Sequence, residues 1–180
     1  MNAMADLVEA GKIRSVGVSN FSADRMRRAH AALAKRSLNL AVNQVQYNLL
    51  HRNIESNGVL ETAKELGITI VAWGPLASGL LTGKFHQDPQ ILTQTPPMRR
   101  RRFQRQIEET RPLIGALEEI GSRYDATAGQ VALNWLINAQ GESVVAIPGA
   151  SKVKHAQESA GAMKFQLSDD ELATLDQITC

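Results

Sequence analysis

Each of the short apolar runs in this chain gives way to residues that could hold a ligand. Ser19-Asn20 follow the first, Gln44 stands in the second, Trp73-Gly74-Pro75 close the third, and Pro148-Gly149-Ala150-Ser151-Lys152 follow the fourth. Together they offer amides, a hydroxyl, a flat aromatic and a glycine-containing turn that leads into a helix. That set suits a planar, amide-bearing ligand with an anionic tail. It supplies no nucleophile with a neighbouring base. The last turn says most. Ser151 or a neighbour would start a helix near residues 152–163, with Lys152, Lys154 and His155 in its first turns. Cations there oppose the partial positive charge of a helix N-terminus. An anion held by the N–H groups would offset that opposition, and Gly149 would let the backbone approach it. A solvated basic helix start is the plainer alternative. For Trp73 it is an ordinary place in the core, and Gln44 and Asn20 gain weight only from their joint placement.

Other motifs fail on inspection. Gly79-Leu80-Leu81-Thr82-Gly83-Lys84-Phe85 looks like a phosphate loop but is one residue short, and Phe85 stands where Ser or Thr must hold Mg²⁺. No G-x-G-x-x-G occurs. His30, His51, His86 and His155 lack metal-ligand spacing, so no metal is expected. Arg99 to Arg102 with Arg105 could grip phosphates, but only Phe103 interleaves them.

The elements that must position these residues repeat one pattern. Met4, Leu7 and Val8 share a helical face that ends at Gly11, before a β-type run over residues 13–18. Leu60, Ala63 and Leu66 mark another helix, ended by Gly67, before the β-branched run 68–73. Strands are also expected over residues 40–45 and 144–147. Thr127 with Gln130, and Ser168 with Glu171, read as capping boxes opening helices. Residues 85–107, with Pro89, Pro96, Pro97 and the arginine run, read as a long loop within a single domain. About four βα units result, the grammar of an α/β chain with a parallel sheet. An eight-unit barrel needs roughly 250 residues, so the choice lies between a small open sheet and half of a barrel.

Composition narrows the classes. The 180 residues are 43% hydrophobic and 21% charged, enough for one core. Without the four arginines of residues 99–102 the formal charge moves from +2 to −2, so no general nucleic-acid affinity is expected. The single Cys180 suits a reducing, cytoplasmic compartment. The first 14 residues contain acids and no apolar core of a leader, and no membrane span is expected.

Four blocks then carry a resemblance: Gly11-Lys12-Ile13-Arg14-Ser15-Val16-Gly17-Val18-Ser19-Asn20-Phe21; Asn43-Gln44-Val45-Gln46-Tyr47-Asn48; Trp73-Gly74-Pro75-Leu76 with Gly79-Leu80-Leu81-Thr82-Gly83-Lys84; and Ile147-Pro148-Gly149-Ala150. In order and content this resembles the aldo-keto reductases. The resemblance implies the C-terminal half of a (β/α)₈ TIM barrel that reduces aldehydes and ketones with NADP(H), without a metal. It implies that Ser19, Asn20 and Gln44 hold the nicotinamide carboxamide and that Trp73 stacks on the ring. Gly74, Pro75, Leu76, Gly79 and Leu81 would wrap the pyrophosphate. Ile147, Gly149, Ser151, Lys152, His155 and Glu158 match the stretch that reads the adenosine ribose and its 2′-phosphate. His155 stands where the family often has Arg, and Ser159 where it usually has Asn.

The family's catalytic Asp, Tyr, Lys and His lie in its first four βα units, which this chain does not resemble. Tyr47, Tyr124 and His51 fall outside those motifs, so no catalytic residue is assigned. The expectation is a fragment of a longer reductase, inactive alone, with a small carbonyl compound as substrate and open strand edges that invite self-association. Two alternatives stand beside it. One is a non-catalytic NADP(H)-binding module, as in sensor subunits related to the family. The other is a phosphate-binding half-barrel lyase or isomerase, for which Lys84 and Glu142 are poorly placed in loops.

Overall fold

The computed structural model describes residues 1–88, 90–91 and 97–179. Pro89, Pro96, Cys180 and the 92–96 part of the expected loop lie outside the described residues, as do the side chains of Arg99 and Arg102. Four parallel strands, β1 (Val16–Ser19), β2 (Leu40–Gln46), β3 (Thr69–Trp73) and β4 (Val144–Ile147), pair in chain order. Strand order that follows chain order has no switch point. Successive right-handed crossovers then lay the helices on one side of the sheet.

Those helices are α1 (Asn2–Glu9), α2 (Ala23–Ala34), the short α3 (Asn53–Ser56), α4 (Val59–Leu66), the short α5 (Lys84–Gln87), α6 (Pro97–Arg123), α7 (Ala128–Asn138), α8 (Val153–Gly161) and α9 (Asp169–Thr179). Gly11 and Gly67 adopt the left-handed conformation after α1 and α4, as their positions suggest. Both capping boxes form. The Thr127 hydroxyl accepts from the Gln130 N–H at 3.3 Å while Gln130 accepts from the Thr127 N–H at 2.8 Å. Ser168 and Glu171 exchange the same pair at 3.3 and 2.9 Å.

The core lies between sheet and helices. Strand residues Val16, Leu40, Val45, Ile70, Ala72 and Val144 meet Met26, Leu33, Ala63, Val131 and Trp135 from the helices. Alternation along the strands puts the other set of side chains on the opposite face. In register across the sheet they form three rows: Gly17, Val42 and Thr69; then Ser19, Gln44, Val71 and Val145; then Gln46, Trp73 and Ile147. All are half-buried or exposed, and Val145 and Ile147 are each 45% exposed. No described element covers this face. Among the described residues β1 pairs only with β2 and β4 only with β3, so both edges are open.

Ala41 is an extra residue. Val16 pairs with Leu40 but Gly17 pairs with Val42, a bulge in β2. Gly17 is required at the next position, because a Cβ there would lie 2.5 Å from Val42 Cγ2.

Within the loop expected over residues 85–107, most of the described residues are helical instead. Lys84–Gln87 is helical, and from Pro97 onward the chain runs in α6 to Arg123. The prolines and arginines suggested an irregular segment. However, Pro is tolerated in a first helical turn, where its missing N–H has no intrahelical role. Further along, Ile107, Thr110, Ile114 and Leu117 recur at helical spacing and are buried. Arg105 pairs with Glu109 one turn on at 2.7 Å, so part of the arginine-rich segment is an ordinary charged helix face.

Candidate functional site

The C-terminal ends of β1, β2 and β3 bring four of the expected residues into one patch. The Asn20 N–H donates to the Gln44 carbonyl at 2.9 Å, continuing the β1–β2 ladder one step beyond the strand. The Ser19 hydroxyl donates to the same carbonyl at 3.0 Å. The Trp73 indole N–H approaches Asn20 Oδ1 at 3.4 Å, spanning from β3 across the end of β2. Ser19 and Gln44 share one row of the open face, and Trp73 stands in the next beside Ile147.

Both flanking strands end in a left-handed residue. Asn20 has φ 56° and Gly74 has φ 64°, so the chain turns away immediately beyond these side chains. For Asn20 this conformation carries a modest cost that its hydrogen bonds offset. Two buried amides that sequence reasoning passed over hold the turns. Asn43 grips both backbone groups of Phe21, accepting from its N–H at 3.3 Å and donating to its carbonyl at 3.0 Å. Asn48 donates to the Gly74 carbonyl at 2.8 Å. A polar residue inside an otherwise apolar strand run was the available signal for Asn43.

After Gly74 the chain enters a tight 3₁₀ segment, Ala77–Thr82, in which Ala77, Ser78 and Gly79 all have positive φ. Pro75 is buried, and the Leu81 side chain lies wholly in the core. Leu81 could therefore offer a ligand only its backbone, because its side chain anchors the turn. Lys84 was also passed over. Its ammonium lies so close to Gly79 that a Cβ there would meet Nζ at 2.8 Å, and it sits 4.7 Å from the centre of the Phe85 ring. The near-miss phosphate-loop pattern was the signal for this cation.

Ile147 joins the patch through its register with Trp73. Gly149, Ser151 and Lys152 lie beyond β4, exposed, and Lys152, the neighbour of Ser151, stands at the start of α8 without a side-chain capping bond. His155 and Glu158 are half-buried on α8, with Glu158 3.6 Å from Lys154. Neither tyrosine faces this patch as a proton donor. Tyr47 is fully buried, and its hydroxyl donates to Glu55 at 2.7 Å. Burial, then the Glu55 carboxylate, push that hydroxyl well above the ordinary tyrosine range. The Tyr124 hydroxyl donates to Glu171 at 2.7 Å and is likewise raised by that bond and by burial.

An open cleft of about 840 Å³ lies beside the patch, lined by Gln46, Leu50, His51, Ala77, Leu80 and Phe103 among others. Among the described residues no group of three His, Cys, Asp or Glu could hold a metal ion.

A family model, the Aldo/keto reductase family, matches residues 1–179. The chain belongs to the aldo-keto reductase family. It is 36% identical over 185 residues to the aldo-keto reductase str7 of Strobilurus tenacellus, covering 99% of this chain and 52% of that protein. It is 35% identical to the aldo-keto reductase yakc [NADP(+)] of Schizosaccharomyces pombe (99% and 51%) and 34% identical to the chloroplastic pyridoxal reductase of Arabidopsis thaliana (96% and 46%). Among solved structures, the thermostable aldo-keto reductase Tm1743 bound to the inhibitor epalrestat matches with a TM-score of 0.72 and 33% identity. That match covers 98% of this chain and 53% of Tm1743. The chain thus spans about half the length of the aldo-keto reductases it matches.

Proposed function

We propose that this chain is the nucleotide-gripping half of an NADP(H)-dependent carbonyl reductase. The observation that carries the proposal is the convergence of Ser19, Asn20, Gln44 and Trp73 at adjacent strand ends. When bound, NADPH supplies the hydride that reduces a carbonyl. Ser19, Asn20 and Gln44 hold the carboxamide, and the Trp73 indole supports the ring face away from the substrate. Gly74, Pro75, Leu76 and Gly79 with the backbone of Leu81 wrap the pyrophosphate, and Lys84 beside Gly79 contributes its positive charge. Ile147, Gly149, Ser151, Lys152, His155 and Glu158 form the end that meets the adenosine ribose and its phosphate. The fit rests on the chemistry of the donors: amides for an amide, a flat indole for a ring, a cation and a left-handed turn for phosphates.

Reduction also needs an acid near the developing alkoxide. Tyr47 and Tyr124 are committed to carboxylates elsewhere, so the acid comes from a complementary four-unit half that completes the barrel over the open sheet face. Three features support this completion: the sequential strand order, the uncovered rows with Val145 and Ile147, and the half-length match to relatives.

The test is an NADPH fluorescence titration of the isolated chain, paired with turnover of simple aldehydes. Binding without turnover, and turnover restored when the complementary half is joined in frame, is the expected result. Robust reduction by residues 1–180 alone refutes the division of labour. Absence of any NADPH binding refutes the nucleotide-gripping role of the isolated chain.

A further inference from the structure

The geometry points to Asn43 and Asn48 as positioning residues that set the two cofactor-facing turns from a common support, β2 and its exit. The inference deepens the NADP(H) reading above and rests on it.

Both side chains are buried, Asn43 at 0% and Asn48 at 1% exposure. A carboxamide in a core is costly unless its donor and acceptor are both engaged. Asn43 stands in the core row between Val18 and Ile70. It spends its oxygen on the Phe21 N–H at 3.3 Å and its nitrogen on the Phe21 carbonyl at 3.0 Å, with Met26 Sδ at 3.1 Å. That two-point grip fixes the residue next to Asn20, which by itself disfavours its φ of 56°.

Asn48 does the same on the other side. Its nitrogen donates to the Gly74 carbonyl at 2.8 Å, and its oxygen accepts from the Leu50 N–H at 2.8 Å. Gly74 directly follows Trp73, so this bond holds the turn at the point where the indole leaves the strand. The two turns meet where the Trp73 indole reaches Asn20. One strand therefore sets the spacing between the carboxamide-holding pair and the stacking ring.

A third buried asparagine provides the comparison. Asn134 on α7 binds the Ala162 and Phe165 carbonyls at 2.9 and 2.6 Å and accepts from the Leu167 N–H at 3.4 Å, all outside the patch. Its loss lowers stability without touching the turns.

The experiment compares Asn43→Asp, Asn48→Asp and Asn134→Asp in the 180-residue chain carrying Trp135→Phe, so that Trp73 is the sole indole. It records urea midpoints, backbone amide spectra, NADPH affinity and energy transfer from Trp73 to reduced nicotinamide. Asn48→Asp is expected to move the amide resonances of Leu76 and Ala77, and Asn43→Asp those of Asn20 and Phe21. Both weaken NADPH binding by roughly fivefold to tenfold with reduced energy transfer, the scale of one well-made hydrogen bond. Asn134→Asp lowers the urea midpoint at least as far and leaves affinity unchanged. The inference is overturned if the turn resonances stay in place, or if affinity in the β2 variants follows stability as it does in Asn134→Asp. A parent chain that binds no NADPH overturns the cofactor role as well. That failure stays distinguishable, because the ligand-free spectra report the pinning of the turns independently.

Discussion

At residue 17 the sheet has no room for a methyl group. A Cβ there would press on Val42 Cγ2 at 2.5 Å, on the face where the candidate site opens. Gly17→Ala is expected to cost about 1–3 kcal/mol, the usual range for overpacking, read as a lower urea midpoint. Gly11→Ala meets nothing within 4 Å, so its penalty comes from its φ of 68° alone, about 1 kcal/mol. Trp73 carries a different expectation. Trp73→Ala removes stacking area at a half-buried position, so it lowers NADPH affinity roughly tenfold while moving the thermal midpoint little. Isothermal titration beside a melt separates the two effects. That Ser19, Asn20, Gln44 and Trp73 stand together at strand ends was legible in the sequence, because strand ends and glycine turns are local signals. Asn43 and Lys84 left only faint local traces, a polar residue in a strand run and an incomplete phosphate loop. The contacts of Asn43, Asn48 and Lys84 with Phe21, Gly74 and Gly79 are tertiary, and no local pattern encodes them.

At the scale of elements, α5 and the start of α6 hold a small satellite core of Leu80, Phe85 and Ile107. His86 sits at its edge, with Nε2 3.0 Å from the Thr110 hydroxyl and Nδ1 buried without a hydrogen-bond partner. Burial holds its pKa below the ordinary imidazole value, aided by Arg111. The Ile107 backbone, Glu118 and Glu108 act against the shift. The folded state thus favours the neutral ring. Its contribution to stability is complete above the unfolded value of 6.5 and is lost as pH falls through 6.5 toward the lower folded value. Faster hydrogen exchange in α5 at pH 5.5 than at pH 7.5, flattened by His86→Asn, is the expected observation. Another junction ties the C-terminal helix α9 to α3. Arg52 pairs with Glu55 at 2.8 Å, with Asp176 at 2.7 Å and with the Thr179 hydroxyl at 2.7 Å, and its guanidinium lies 5.0 Å from the centre of the Trp135 ring. Its side chain is only 15% exposed, whereas Asp176 is half exposed and screened. Arg52→Ala is expected to cost about 1–2 kcal/mol and to loosen α9 first, read by exchange protection. The four strands, α7 and α9 were legible through β-branched runs and capping boxes. The beginning of α6 was hidden because its prolines and arginines carry the composition of a loop, while its apolar stripe appears only from Phe103 onward.

For the whole molecule, the sheet face and the two edges left open among the described residues are the dominant physical fact. The isolated chain is expected to bind a hydrophobic dye such as anilinonaphthalene sulfonate at this face. Joining the complementary half should abolish that binding, since Val145 and Ile147 would then be covered. Strand count and parallel grammar were readable from sequence. Which face lies bare was not, because periodicity separates two faces without saying which one the helices take. In β2 the supernumerary Ala41 lets Leu40 and Asn43, three residues apart, both face the helices. Losing that one codon would straighten the strand yet keep Val42 opposite Gly17, with Gln44 and Gln46 still lining and Asn43 and Val45 still filling. A lesion of three nucleotides at this position is therefore one that the sheet could absorb.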